Sequence, residues 1–145
     1  MTNLPLEDLL SLSTLTISTC DAEGNPHAAP VYFAADGKLH LYFFSDIESQ
    51  HGQDLLHDRR AAVAFYPECW GWEEIRGVQM RGVVRAIKPG DEWEYAWKVF
   101  QAKFPFVTDL QELVAQNQFY VFVPHWVRLV DNRIGFGYKK EWILN

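Results

Sequence analysis

Leu39-His40-Leu41-Tyr42-Phe43-Phe44-Ser45, then Asp46 to Arg60, then Ala61-Ala62-Val63-Ala64 is the stretch that decides the fold. It reads as a strand, a short polar loop, one amphipathic helix and a second strand. Ser45, Ser49, Gln50 and His51 fall where the loop enters the helix. The first turn of a helix leaves backbone N–H groups unpaired and carries a partial positive charge, so it is a place to hold an anion. A plainer assignment stands beside it: Ser49 caps the helix, Leu55 and Leu56 anchor it, and the rest face water.

Outward from that stretch, composition narrows the options. With 145 residues the chain is expected to form one domain, 1–145, with a real core. Six Trp and ten Phe exceed what one small core needs, so some rings are expected in a pocket or a subunit interface. The net charge is −6 and Lys and Arg are scattered, which leaves no basic face for nucleic acid. Cys20 and Cys69 stand apart, without paired metal or redox spacing, as in an intracellular protein with reduced thiols. No apolar run approaches the ~20 residues that span a bilayer. Residues 1–20 also lack a basic start followed by an apolar segment. A cytoplasmic protein without membrane partners is expected.

Before the deciding stretch, Pro5 to Leu12 reads as a short helix, and Ser13–Cys20 and His27–Ala35 as strands around the Gly24-Asn25-Pro26 turn. Asp36-Gly37 is a two-residue hairpin signal that pairs the second strand with the third. After it come a strand from Ala61 to Tyr66, a Trp-rich loop, and a long strand from Glu73 to Ile87 whose Gly77 and Gly82 predict a bulge or a close approach. Asp91 to Lys103 has helical spacing in Trp93, Trp97 and Phe100. Thr108-Asp109-Leu110-Gln111 fits a capping box for a helix that turns Leu110, Leu113 and Val114 inward. Phe119–Val130, dented at Pro124, and Ile134–Leu144 complete the strands. Strands in series with helices grouped between them predict an α+β fold whose sheet curls into a barrel.

The common dinucleotide, P-loop, hydrolase-elbow and zincin motifs are absent from the sequence. His51 and His57 fall on different helix faces, and His27 and His40 read as a lone surface pair, so no metal site is expected.

The order of segments carries a resemblance over nearly the whole chain. It comprises the Gly24-Asn25-Pro26 turn, Asp36-Gly37, a strand ending in Ser45, Ser49-x-His51 before Leu55, Arg60-Ala61-Ala62-Val63-Ala64, and Arg76 to Gly82. In these the chain resembles the pyridoxamine 5′-phosphate oxidase-like superfamily of FMN-binding split barrels. It is similar to a small bacterial branch in Ile75 to Gln79, Lys103-Phe104-Pro105, Asp131-Asn132, Gly135-Phe136-Gly137 and Lys140 to Trp142.

That resemblance implies a mostly antiparallel split β-barrel of six to seven strands with short flanking helices. It implies a homodimer with FMN in a cleft between subunits. The positions implied to touch FMN are Ala29, Phe44, Ser45, Ser49, Gln50, His51, Gly77 and Gln79. Ser45 and Ser49 match hydroxyls that hold the phosphate, His51 replaces a lysine, Ala29 stands where relatives carry an arginine, and Gly77 stands where some carry a glutamine. Arg76 and Arg81 share the strand of Gln79, Trp70, Trp72 and Trp126 are candidates for the ring or the dimer interface, and Lys139, Lys140, Arg128 and Arg133 are candidates to compensate for the missing cations. With an ordinary histidine pKa of about 6.5, FMN affinity is expected to be low or pH-dependent.

The function so implied is an FMN-dependent oxidoreductase acting on a small molecule, with no side chain that declares itself catalytic. The alternative is a non-catalytic split barrel that senses or carries haem, a flavin or another planar ligand. Pyridoxamine 5′-phosphate oxidase activity itself is not expected, because the chain is short and lacks that enzyme's basic substrate-binding ending.

Overall fold

The computed structural model describes residues 4–145, so residues 1–3 of the expected domain lie outside the described residues. The chain runs α1 (Glu7–Leu10), β1 (Thr14–Cys20), β2 (Pro26–Tyr32), β3 (Ala34–Ala35), β4 (Leu41–Ser45), α2 (Gln50–His57), β5 (Arg60–Phe65) and β6 (Arg76–Ala86). It continues with α3 (Asp91–Lys103), α4 (Gln111–Ala115), β7 (Gln118–Asp131) and β8 (Lys139–Ile143). The strands pair antiparallel in the order β2-β1-β5-β6-β7-β4-β3, with β8 added to β7.

Only Phe33 separates β2 from β3, yet the two pair at opposite ends of that order. One bent stretch therefore joins both edges, and the sheet curls into a barrel that leaves few edges open. Counted as a single broken strand, β2 and β3 bring the total to the seven of a split barrel. At the break, Phe33 N donates to Ser13 O, and Phe33 O accepts from the Lys103 ammonium.

Alternation along the strands makes two apolar layers. Leu15, Ile17, Phe43, Phe65, Met80 and Phe122 fill the barrel. Tyr42, Phe100, Phe119 and Val121 form a second cluster under α3. Trp93 stacks on Trp97 with centroids 5.9 Å apart, as the helical spacing predicts. Gly82 is required by contact: a Cβ there would lie 2.2 Å from Val123 O. Beside it the register shifts between Arg81 and Gly82, since Arg81 faces Trp126 and Gly82 faces Pro124. His125 is thus the extra residue of a bulge next to the proline, which has no N–H to pair.

Several local expectations are corrected. The Asp36-Gly37 hairpin is not a two-residue turn: Asp36 N donates to His40 O, and the residue with positive φ is Leu39 at 62°, not Gly37. The Asp36 carboxylate accepts from Lys38 N and His40 N and so shapes the loop, while Leu39 is held by burial in the barrel core. The Thr108 capping box does not form; Thr108 Oγ1 instead accepts from Gln101, and the segment Pro105–Leu110 winds as a 3-10 helix behind Pro105. Leu110, Leu113 and Leu56 are exposed rather than inward, whereas Val114 and Leu55 are buried. The last strand starts at Lys139, because residues 134–138 form a turn closed by Tyr138 N to Gly135 O.

Candidate functional site at the start of α2

Ser45 ends β4 on the barrel side, since Leu41 and Phe43 before it on that face belong to the inner core. Ser49 is the N-cap of α2, accepting from Gly52 N at 3.1 Å and donating to Asp46 O at 2.6 Å. The chain can double back here because Gly52 has no Cβ: one would lie 2.7 Å from Ile47 O. His51 turns inward, and its Nε2 lies 2.7 Å from Ser45 Oγ and 3.3 Å from Ser49 Oγ. Two hydroxyls and one imidazole thus converge at the α2 start. His51 is only 8% exposed. Burial pushes its pKa below the ordinary 6.5, with the nearby Asp54 carboxylate pulling the other way. The shift favours the neutral imidazole at pH 7.

One turn further on, Asp54 is 1% exposed. Its Oδ2 takes Thr19 Oγ1 at 2.7 Å and His27 Nδ1 at 2.8 Å, and its Oδ1 takes Gln50 Nε2 at 2.9 Å. Burial raises the carboxyl's pKa, but the hydrogen bonds from Thr19, Gln50 and His27 outweigh it and hold the pKa below the usual 3.8. These bonds tie α2 to β1 and β2 and fix where His51 and Ser49 stand. Asp54 was not among the positions expected from sequence; the available signal was a charged residue beside Leu55 on the apolar face, four residues after Gln50.

The expected site residues divide into two groups. Ser45, Ser49 and His51 form one hydrogen-bonded cluster, Gln50 reaches into the Asp54 network, and Ala29 lies on β2 on the same face as His27. The Phe44 side chain goes to the opposite face of β4, packed between Phe100 and Phe119. Gly77 and Gln79 lie elsewhere. Gln79 pairs with Arg128 on β7, whereas Ser45 pairs with Gln118 at the other end of that strand, about 30 Å of extended chain away. Gly77 is needed for close packing, since a Cβ there would lie 2.9 Å from Tyr66 Cβ.

The candidate compensating cations also lie at that far end. Arg128 pairs with Glu141, Arg133 with Asp131, and the Lys140 ammonium sits over the Trp142 ring. Arg81 and Arg128 flank Trp126, with centroid distances of 4.3 Å and 4.8 Å. Trp70 is exposed, and exposed Trp72 meets Phe136 edge-on. His27 and His40 are not partners: His27 bonds Asp54, and His40 lies 3.7 Å from Asp36.

Taken alone, the Ser45, Ser49 and His51 cluster offers a phosphate dianion no cation. Among the described residues no arginine or lysine bonds to Ser45, Ser49, His51 or Asp54, and the charge that acts on His51 is the Asp54 carboxylate. What this cluster offers is hydroxyl, imidazole and backbone N–H. Beyond Gly52, a cavity of about 830 Å³ opens between α2, β6 and β7, with Leu55, Val84 and Tyr120 on its walls beside Arg59, Arg85 and Lys88. That is within the usual size range of small-molecule sites.

Comparison with known proteins bears on this geometry. A model of the pyridoxamine 5′-phosphate oxidase family matches residues 6–131. The chain is 33% identical over 84 residues to the pyridoxine/pyridoxamine 5′-phosphate oxidase of Polynucleobacter asymbioticus, covering 57% of this chain and 37% of the oxidase. It is 28% identical over 144 residues to that of Paraburkholderia phymatum, covering 86% and 66%. It therefore spans between about a third and two thirds of the oxidases' length. Among solved structures, a haem binding protein from Mycobacterium smegmatis superposes with a TM-score of 0.77 at 22% identity, covering 92% of this chain and 53% of that one. A FAD-binding protein from Mesorhizobium loti superposes with 0.67 at 19%, covering 88% and 92%. Those two likenesses establish the fold. No helix among the described residues is long and apolar enough to cross a membrane. With the barrel closed through the β2–β3 bend, and the matched region spanning every element from α1 to β7, the chain belongs to the pyridoxamine 5′-phosphate oxidase family.

Proposed function

We propose that this chain is a cytoplasmic flavin-binding protein, FMN being the form the family resemblance implies, that works as a homodimer and oxidises or reduces a small molecule. The observation that carries the reading is the convergence of Ser45, Ser49 and His51 at the α2 start, in a chain of this family. A bound flavin supplies the redox chemistry, and the protein supplies binding and orientation. The division of the expected contacts supports a dimer. Gly77 and Gln79 lie at the end of the sheet opposite Ser45, so a site made of all the expected contacts would draw the α2 group from one protomer and the β6 group from its partner. The exposed Trp70, Trp72 and Phe136 are then the apolar surface that such an interface covers.

The second reading is a split barrel that carries or senses a planar ligand such as haem without catalysis, supported by the likeness in fold to a haem binding protein. A visible spectrum of the purified protein, followed by titration with riboflavin, FMN and haemin, separates the two. Flavin bands or a saturable quench of flavin fluorescence support the first reading. A Soret band that persists through gel filtration supports the second and refutes the first.

A further inference from the structure

The cavity beyond Gly52 is not used by Ser45, Ser49 and His51, whose side chains bond to one another. We propose that this cavity is a second binding site, for a small organic anion with an apolar body and a carboxylate. The proposal goes beyond the flavin reading and does not depend on it.

Three observations carry it. The first is a polar group without a partner. Tyr120 on β7 is 4% exposed and lines the cavity, and its hydroxyl enters no hydrogen bond among the described residues. No sealed side-chain polar atom among those residues lacks a partner, so this hydroxyl opens to the cavity. Burial, reinforced by the Asp46 carboxylate, raises its pKa, and it stays protonated as a donor for an acceptor atom. The second is the wall. Leu55 and Val84 are buried beside the cavity and Leu56 on its rim is 70% exposed, a surface suited to an apolar body. The third is charge. Arg59 is seated at the edge by the bond from Val84 N to its carbonyl, and Lys88 follows β6; neither side chain enters an ion pair among the described residues. The acids around the cavity are engaged: Glu92 holds Arg85, Asp58 holds Arg60, and Asp91 lies in the first turn of α3, where the helix dipole offsets its charge. Two cations thus remain to meet an incoming carboxylate.

The test uses phenylpropionate and its uncharged counterpart phenylpropanol, each titrated to about ten millimolar and followed by amide chemical shifts of the labelled protein. Phenylpropionate is expected to move Leu55, Arg59, Val84 and Lys88 saturably, with a dissociation constant of about one millimolar or tighter, and to leave Ser45 unmoved. No saturation, or shifts centred on Ser45, overturns the proposal. The alcohol is expected to bind at least about threefold more weakly, since it forgoes two exposed ion contacts; a smaller ratio overturns the assignment to an acid. Arg59→Gln combined with Lys88→Gln, at two exposed side chains without partners, is expected to bring that ratio to about one; an unchanged ratio overturns the role of these cations. Tyr120→Phe is expected to weaken both probes by about threefold and to leave the urea midpoint unchanged, because the hydroxyl has no protein partner to lose. Unweakened binding, or a lowered midpoint, overturns the account of that hydroxyl.

Discussion

Replacing Asp54 tests how the pocket is held together. Its Oδ2 serves two donors, Thr19 Oγ1 and His27 Nδ1, while Oδ1 serves only Gln50. Asp54→Asn, with its carbonyl oxygen in the Oδ2 place, keeps the two inner bonds and loses one to an exposed glutamine. The expected cost is at most about 1 kcal/mol. Asp54→Ala removes all three acceptors. Thr19 is 2% exposed and its hydroxyl is left unpaired, at about 1–3 kcal/mol. His27, a third exposed, is rehydrated in part and adds about 1 kcal/mol. The sum is about 2–4 kcal/mol, measured by urea unfolding at pH 7 with the slope checked for constancy. The pH dependence has a definite sign. The folded carboxyl has a lowered pKa, so its stabilisation is complete above the unfolded value of 3.8 and disappears as pH falls through the folded value. Both variants therefore flatten the acid limb of the stability profile below about pH 4. A cost for Asp54→Ala below about 0.5 kcal/mol, or equal costs for the two variants, refutes the reasoning.

Two further perturbations probe other joints. Lys103 donates to Leu10 O at 3.0 Å, Leu12 O at 2.5 Å and Phe33 O at 2.9 Å, and its Nζ lies 4.0 Å from the Phe33 ring centroid, while burial pushes its pKa down to about 8. Lys103→Met keeps the apolar stem but leaves Phe33 O unpaired at the β2–β3 break, and it should cost about 2–4 kcal/mol in urea unfolding, with unchanged stability as the contrary result. Gly82→Ala forces a Cβ against Val123 O and Pro124, so it should cost at least about 2 kcal/mol and speed amide exchange along β6 and β7; a neutral effect contradicts the close approach.

The fold was largely legible because its strands are long and bounded by strong punctuation, and α3 fell on the residues that Trp93, Trp97 and Phe100 mark. Legibility failed where a distant partner decides. Asp36-Gly37 looks like a tight turn until burial of Leu39 and the Asp36 carboxylate select a longer loop. Thr108 looks like a cap until Pro105 and Gln101 claim its segment. At the site, Ser45, Ser49 and His51 could be grouped from position alone, because they fall within seven residues around one helix start. The charge state of His51 could not, since it depends on burial that the chain acquires only when α2 seats on the barrel. The Asp54 network was likewise invisible, because Thr19 and His27 come from strands that sequence does not place beside α2.

The location of the flavin is the most direct test of the account. Amide chemical shifts recorded on the labelled protein during FMN titration should move Ser45, Ser49, His51 and Gly52 together and leave α4 unchanged. Saturable binding that leaves those four amides still, with shifts confined to another surface, contradicts it.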